Sequence, residues 1–293
     1  MSEFVERANQ QWRDTYPPGE PGVAEWRVAV TELHAKFPLP ADAVVEEVDA
    51  GGVPALWVSA PGAGTGRVAV HFHSGGYVMG SAHNYREFAY RLSAAIDARV
   101  LVVDYRLAPE HVYPAAVEDA LAAYRWLAGT VDPSRIVVTG DSAGGGLALG
   151  LTLALRDAGE SLPAAVIGFS PLTDLLAEGD SYDLFPDDLV VSRPFALANA
   201  VVYLGEGVDP KQNPYGSPLY GEFAGFPPVL LIASGHECLR DDSVRVVEKA
   251  AAAGVDAQLH LVPLVPHVFQ IFPFLPESGE ALEVAAGFLK DRV

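Results

Sequence analysis

The sequence predicts an α/β fold in which helices cover both faces of an eight-stranded, mostly parallel sheet. From about residue 44 onward, short runs of β-branched residues alternate with longer segments of helical spacing. This alternation is typical of a sheet with helices packed on each side. The predicted strands cover residues 44–48, 55–58, 68–72, 100–103, 136–139, 165–169, 229–233 and 258–262.

The segments between these strands have the apolar spacing of helices that pack on a sheet. In residues 88–96 and again in 117–127, apolar side chains recur every three or four positions and so share one helix face. Further helices are predicted for residues 143–155, which are rich in Ala and Leu, and for about 278–290. No helical segment separates the first two strands, and the pair at residues 51–52, Gly-Gly, predicts a hairpin.

Two segments interrupt this alternation and have no strand pattern of their own. Residues 1–43 contain helical stretches separated by prolines, and residues 175–220 form a long insertion, rich in Asp and Pro, between the sixth and seventh strands. Neither segment is predicted to fold by itself. We therefore interpret residues 1–293 as one domain, in which both segments form a helical cap over the carboxyl ends of the strands, where open α/β sheets bind ligands.

The composition narrows the range of partners. The 293 residues include 19 Lys and Arg against 38 Asp and Glu, a formal net charge of -19. Nucleic acids and anionic membranes repel such a chain, so neither is expected as a partner. The single cysteine cannot form an intramolecular disulfide. Because the sequence also has neither a secretory signal nor the roughly 18 consecutive apolar residues of a membrane helix, it predicts a cytoplasmic protein.

The strongest chemical signal is the string Gly140-Asp141-Ser142-Ala143-Gly144, which matches the pattern G-x-S-x-G. It follows a predicted strand and precedes a predicted helix, the context in which a nucleophilic serine lies on a sharp turn. Glycines are needed there because neighbouring backbone comes close. The N-terminus of the following helix favours negative charge that develops nearby. The motif therefore predicts the serine as a nucleophile.

A second motif, HFHSGGY at residues 71–77, directly follows the third predicted strand. Acyl transfer generates an alkoxide that needs fixed hydrogen-bond donors, and backbone N–H groups on a glycine loop can approach it closely. We therefore predict Gly75 and Gly76 as donors, together with the N–H of Ala143. His73 is expected to brace this loop by hydrogen bonding rather than to transfer protons.

The base and the acid that would serve this serine must lie later in the chain. Of the eight histidines, His267 follows the last predicted strand and precedes the last helix, which is the expected place. His260 lies inside that strand and is expected to be a packed or edge residue. The chain order serine, acid, histidine puts the acid after the seventh strand. Glu237, Asp241 and Asp242 all follow that strand, and spacing alone does not choose among them.

Four strings in this order resemble the hormone-sensitive-lipase-like esterases, also described as bacterial family IV. They are residues 73–81, 104–110, 140–145 and 266–269. The resemblance runs from about residue 65 to the C-terminus. It implies a capped α/β-hydrolase that acts on carboxylic esters with short to medium acyl chains, through an acyl-enzyme intermediate and without a cofactor or a metal ion.

The resemblance also implies roles for individual residues. It makes Ser142 the nucleophile and His267 the base. It selects Glu237 as the acid, because this residue aligns with the first carboxylate of the family's Asp-Pro-Leu-x-Asp string. The implied oxyanion donors are the N–H groups of Gly75, Gly76 and Ala143.

Three positions depart from the family's pattern. Ser74 replaces the first glycine of the loop, so its hydroxyl is expected to alter the geometry there without removing either donor. Glu237 stands where most members have Asp, and its extra methylene requires a retracted backbone or a different rotamer. Cys238 takes the place of a common proline, and we expect a buried, inert thiol.

The sequence defines the substrate less closely. Candidates for the mouth of the pocket are Trp12, Trp26, Phe37 and the residues around Phe185 and Leu189, although aromatic residues in such segments more often form the core of a cap. Short-chain esters are the first hypothesis. A lactone is the second, because similar sequences include monoterpene lactone hydrolases.

Two further hypotheses concern the class of protein and its assembly. Some members of the superfamily are ligand-binding receptors that have lost the chemistry, but such proteins lack the histidine that is present here as His267. We therefore expect an enzyme that acts on a small-molecule ester or lactone. Many relatives dimerise through the last strand and helix, so a homodimer is also expected.

Overall fold

The structure, a computed structural model, describes residues 2–19, 21–290 and 292–293. Its eight strands are β1 (Val44–Asp49), β2 (Pro54–Ser59), β3 (Arg67–Phe72), β4 (Ala98–Val103), β5 (Ile136–Asp141), β6 (Ala165–Phe169), β7 (Val229–Ser234) and β8 (Ala257–Val262). They form one sheet in the order β1-β2-β4-β3-β5-β6-β7-β8, in which only β2 runs against its neighbours. The predicted eight-stranded, mostly parallel sheet is confirmed.

Helices cover both faces of this sheet, as predicted. They are α1 (Glu3–Thr15), α2 (Val23–Ala35), α3 (Arg86–Ile96), α4 (Ala115–Ala128), α5 (Ala143–Asp157), α6 (Ser181–Leu184), α7 (Arg193–Leu204), α8 (Arg240–Ala252) and α9 (Pro276–Leu289). None of the helices in the described part of the chain is long and apolar enough to cross a lipid bilayer.

The core is divided by the sheet into two layers. Buried side chains of α4, α5 and α8 belong to one hydrophobic cluster, and those of α3 and α9 belong to the other. Successive residues of a strand point to opposite faces. Ile136 and Val138 of β5 therefore lie in the first cluster and Val137 in the second. The carboxyl ends of the parallel strands are left free to carry loops.

The predicted hairpin at the start of the sheet is confirmed. β1 and β2 are antiparallel neighbours, and Gly51 and Gly52 between them have φ values of 74° and 92°. Residues with a side chain rarely adopt such φ values, whereas glycine does so at little cost. The turn is held by the N–H of Gly52, which donates to Asp49 Oδ1 at 2.5 Å.

The segment before β1 carries α1 and α2, and the segment between β6 and β7 carries α6 and α7. The hydroxyl of Ser2 caps α1, accepting from Val5 N at 3.2 Å, and that of Ser192 caps α7 in the same way. Tyr203 of α7 stacks on Tyr77, which follows β3, with ring centroids 3.7 Å apart. This contact brings α7 to the loop that carries the predicted oxyanion donors.

Candidate active site

The turn between β5 and α5 holds Ser142 in a strained conformation. Its φ is 50° and its ψ is -119°, backbone angles that a residue other than glycine adopts only when its surroundings enforce them. A Cβ atom on Gly140 would lie 2.1 Å from the carbonyl oxygen of Gly144, and one on Gly144 would lie 2.0 Å from that of Phe72. Only glycine fits at both positions, which is the reason for the motif's spacing.

Ser142, His267 and Glu237 lie in one hydrogen-bonded row. His267 Nε2 is 2.9 Å from Ser142 Oγ, and His267 Nδ1 is 2.6 Å from Glu237 Oε2. The three residues are only 8%, 2% and 0% exposed, so bulk water does not compete for these contacts. They follow β5, β8 and β7, whose carboxyl ends meet at one edge of the sheet. The roles of the three residues remain predictions.

The other carboxylates that follow β7 face different partners. Asp241 Oδ2 accepts from Ser181 N at 2.9 Å. Asp242 Oδ2 accepts from the N–H groups of Thr173 and Asp174 at 2.6 and 2.8 Å. Neither carboxylate is hydrogen-bonded to the imidazole, so the contact geometry favours Glu237 among the three alternatives that spacing had left open.

The environment of His267 makes its ring a stronger base. Burial alone lowers its pKa, but the charge of Glu237 and the hydrogen bond to it more than compensate, so the pKa is raised above its usual value. Asp188 and Asp141 add smaller contributions in the same direction. A ring that holds a proton more firmly takes one more readily from a hydroxyl.

The glycine loop after β3 presents free donors. Gly75 and Gly76 have φ values of 124° and 60°, and the loop is closed by Val78 N and Met79 N, which both donate to Gly75 O at 3.0 Å. Within the described residues, the N–H groups of Gly75, Gly76 and Ala143 donate no hydrogen bond. Three backbone donors near Ser142 are therefore available to a ligand.

A buried polar network connects this loop to the serine turn. Tyr85 Oη lies 2.6 Å from Asp141 Oδ2 and 2.5 Å from Ser74 Oγ. Because a phenol has one proton, which the carboxylate attracts, the hydroxyl of Ser74 donates to the tyrosine oxygen. His71 Nε2 approaches the other oxygen of Asp141 at 3.3 Å. The hydroxyl of Ser74 therefore has Tyr85 as a hydrogen-bond partner, and a glycine at this position would have no side chain to make this contact.

The neighbouring histidines are structural in this arrangement. His73 Nδ1 is 2.8 Å from Ser74 O, which is the predicted hydrogen bond to the loop, and Tyr105 Oη donates to the backbone carbonyl of His73 at 2.7 Å. Burial lowers the pKa of His73, and it lowers that of His34 to about 4. Both rings are therefore neutral near pH 7.

A cavity of about 70 Å³ opens beside Ser142 and His267. Its walls are mainly apolar, and the segments before β1 and between β6 and β7 contribute many of them. These contributions are Trp12, Tyr16, Trp26, Val30 and His34 from the first segment and Val190, Val191, Phe195, Ala196 and Asn199 from the second. Ser142, His267 and the glycine-loop residues Ser74, Gly75 and Gly76 line the same cavity.

The predictions for the mouth of the pocket are partly right. Trp12 and Trp26 line the cavity, and so do Val190 and Val191 next to Leu189, whereas Phe37, Phe185 and Leu189 themselves do not. Phe37 packs edge-on against Phe272, with ring centroids 5.8 Å apart, and Leu189 packs against the same hydrophobic cluster. Phe185 lies against the ring of His236 at 4.6 Å. These three side chains are used for packing, which the sequence pattern did not distinguish from lining.

Comparisons with known proteins agree with this geometry over most of the chain. A family model described as the α/β-hydrolase fold matches residues 69–271. A solved esterase from the bacterial hormone-sensitive lipase family is 40% identical, with a TM-score of 0.96, and the match covers 100% of this chain and 99% of that one. The acetyl-hydrolase of Streptomyces hygroscopicus is 38% identical over 245 residues, which are 83% of this chain and 81% of that protein. The esterase LipU of Mycobacterium tuberculosis is 34% identical over 280 residues, 92% of this chain and 94% of that protein.

These matches establish the class of protein. The chain belongs to the α/β-hydrolase family, among the esterases of the bacterial hormone-sensitive lipase type. It is a carboxylic-ester hydrolase rather than the non-catalytic receptor considered above. The resemblance in the four sequence strings is thereby confirmed for the family, the fold and the type of reaction.

Several residues near the site were not identified from the sequence. Tyr85 and Asp188 are distant in the chain from Ser142, and Asn199 lies on α7. Asp188 accepts backbone hydrogen bonds beside Glu237, and Asn199 lines the cavity. Their residue types are common on protein surfaces, so no local pattern marks them. The one available signal was the density of Asp residues at 180–188.

The buried network predicts an unequal effect of two tyrosine substitutions. Tyr85→Phe removes the donor to the buried Asp141 carboxylate, and leaving such a group unsatisfied costs about 1–3 kcal/mol. Tyr90→Phe, on helix α3 directly after Tyr85, is the matched control, because Tyr90 Oη donates to Asp42 in an exposed contact at 3.1 Å. Urea unfolding should show a clear loss for the first variant and almost none for the second. Equal unfolding midpoints would contradict this account of the network.

Proposed function

We propose that the protein hydrolyses esters with short acyl groups through an acyl-enzyme on Ser142, with His267 as the general base and Glu237 as its acid partner. The observation that carries this proposal is the hydrogen-bonded row of these three side chains beside a cavity with free backbone donors. No other group in the cavity combines a nucleophile with a base at hydrogen-bond distance among the residues described.

The first half of the reaction forms the acyl-enzyme. Ser142 Oγ attacks the carbonyl carbon of the ester while His267 Nε2 takes the hydroxyl proton. The carbonyl oxygen becomes an alkoxide, which accepts hydrogen bonds from the N–H groups of the loop and of the α5 N-terminus. The intermediate collapses as the C–O bond to the alcohol breaks, and the imidazolium gives its proton to the leaving oxygen. The proposed donors are Gly75, Gly76 and Ala143.

The second half repeats these steps with water. A water molecule loses a proton to His267 Nε2 and attacks the acyl carbon. The new tetrahedral intermediate expels Ser142 Oγ, which regains the proton, and the carboxylic acid leaves. Glu237 keeps one oxygen on the imidazole while its other oxygen accepts from Ser170 Oγ and Ser234 N, both at 2.8 Å. These contacts fix the ring's orientation in both halves.

Substitution of the nucleophile tests this mechanism directly. Ser142→Ala should lower kcat on p-nitrophenyl butyrate by about 10⁴-fold or more and abolish labelling by a fluorophosphonate, because the nucleophile is gone. Circular dichroism should remain that of the wild type. Ser134→Ala, at an exposed serine, is the matched control and should retain both activities. Wild-type turnover by the alanine variant would overturn the assignment.

The cavity's size supports the preference for short acyl groups. At about 10–15 Å³ for each water-sized centre, 70 Å³ holds roughly five to seven such positions, which suits an acyl group of a few carbon atoms. Lactones remain the second hypothesis, because ring opening uses the same attack, oxyanion and proton transfers.

A substrate series distinguishes these hypotheses. We expect kcat/KM to be highest for p-nitrophenyl acetate or butyrate and to fall for the decanoate, because the longer chain exceeds the cavity. Hydrolysis of an ε-lactone releases no nitrophenol, so it is followed through the acid that it produces, and its kcat/KM is compared with those of the esters. Highest rates on the decanoate would contradict the short-acyl proposal, and highest rates on the lactone would favour the second hypothesis.

We also propose that residues 1–43 and 175–220 form the cap of a single domain. Both segments contribute cavity walls, and they meet where Trp26 packs on Phe195 with ring centroids 5.8 Å apart. The end of the segment 175–220 packs on the helices beside the sheet, because its 3₁₀ turn Pro218–Tyr220 contacts α5 and α8. That attachment supports a cap continuous with the domain.

A homodimer is the proposed assembly. β8 is the last strand of the sheet, and Leu261 and Leu264 at its end are 38% and 50% exposed. An edge strand with exposed apolar side chains can pair with a second copy. Sedimentation velocity at micromolar concentration should give twice the mass of the chain, and a monomer under those conditions would argue against this assembly.

A further inference from the structure

Asp188 is a carboxylate between the cavity wall and the loop that carries Glu237. Its Oδ2 accepts from Cys238 N at 2.7 Å, and its Oδ1 accepts from Val190 N and Val191 N at 2.8 and 3.2 Å. In the described residues no arginine or lysine forms an ion pair with it. Burial raises the pKa of Asp188, whereas His267 and the backbone N–H donors favour its charged form.

These contacts join two parts of the candidate site. Val190 and Val191 line the cavity, and Cys238 N belongs to the peptide that directly follows Glu237. The side chain of Asp188 thus connects the wall of the cavity to the loop that carries Glu237, the proposed acid. The wall is also held from the N-terminal segment, because Tyr16 Oη donates to Val190 O at 3.1 Å.

The contact depends on the backbone N–H of Cys238. Proline is the one residue type that has no N–H to donate. The bond from residue 238 to Asp188 is therefore possible here because the residue is not proline. This bond is made by the backbone and not by the thiol, whose Sγ donates to Phe185 O at 3.4 Å.

Asp188 would act on the reaction through the pKa of His267, which depends on the charged groups around the imidazole. The carboxylates that face the imidazole are Glu237, Asp188 and Asp141. The groups that face Asp188 are His267, Glu237, Tyr16, Tyr182 and the thiol of Cys238. Burial raises the pKa values of Tyr16 and Cys238 to about 12 and that of Tyr182 well above its usual value, so these three are neutral near pH 7.

We propose that Asp188 is a positioning residue for the ester hydrolysis. Its hydrogen bonds attach the pocket wall to the Glu237 loop, and its negative charge stabilises the imidazolium form of His267. The inference rests on the proposed function, because it assigns Asp188 an effect on that base and that pocket. Two separate effects follow. The hydrogen bonds that join the pocket wall to the Glu237 loop, here called the tether, affect KM. The negative charge affects the acid limb, which is the fall of kcat/KM at low pH.

The charge is tested by Asp188→Asn, which keeps the side chain's size. His267 must be unprotonated to act as the base, so kcat/KM falls as pH falls through its pKa. Removing a negative charge lowers that pKa, and the acid limb should move to lower pH by about 0.5–1 unit. The pH dependence of fluorophosphonate labelling should move equally. Asp187→Asn is the control, since that carboxylate faces solvent and lies 3.4 Å from His236.

The tether is tested by Cys238→Pro against Cys238→Ala. Both variants remove the thiol, but only the proline variant removes the N–H that donates to Asp188. Relative to the alanine variant, it should raise KM for p-nitrophenyl butyrate by about tenfold, because the wall is no longer aligned. Its acid limb should stay in place, since the charge remains. This pair also tests the inference if Asp188→Asn does not fold.

Either of two results would overturn the inference. One is an Asp188→Asn profile that coincides with the wild type in both KM and acid limb, and the other is an equal KM for the two Cys238 variants. Failure of the proposed function looks different, because Ser142→Ala would then retain turnover. An inactive Ser142→Ala together with an unaffected Asp188→Asn would reject the role of Asp188 alone.

Discussion

The close approach of three backbone segments is the constraint on which the site depends. The turn after β5 touches itself at Gly140 and Gly144, and it touches the end of β3 at Phe72, at distances that leave no room for a Cβ. This packing holds Ser142 at its positive φ of 50°. It also brings the end of β3 against the serine turn, so the proposed nucleophile and the proposed oxyanion donors depend on the same backbone contact.

Beneath this turn, buried polar groups hold the loop and the acid in place. Asp141 has no lysine or arginine partner in the described chain, yet Tyr85 donates to it and links it to Ser74. Two departures from the family's pattern are explained in this way. Ser74 has an acceptor for its hydroxyl, and the longer side chain of Glu237 is held at one oxygen while the other reaches His267.

Much of the cavity wall comes from the segments before β1 and between β6 and β7. Tyr16, which follows α1, contacts Trp26 of α2, and Trp26 contacts Phe195 of α7, so the pocket's shape depends on how these segments sit on the domain. Asp188 is a polar attachment between this wall and the loop after β7. Under the proposed role of Asp188, the shape of the pocket and the orientation of the imidazole depend on each other, although different parts of the chain carry them.

The sequence by itself determined the strands, the helices, the hairpin and the serine turn between β5 and α5, because each depends on the spacing of residue types over a short stretch of the chain. It also located Ser142, His267 and the glycine loop, since chain order and strand ends restrict where such groups can lie. The choice of Glu237 required a family resemblance, and the packing of Phe37 and Phe185 and the contacts of Tyr85 and Asp188 required the tertiary structure. Those contacts join residues about 50 or more positions apart, as between Asp188 and Cys238, and no local pattern encodes which distant groups will meet.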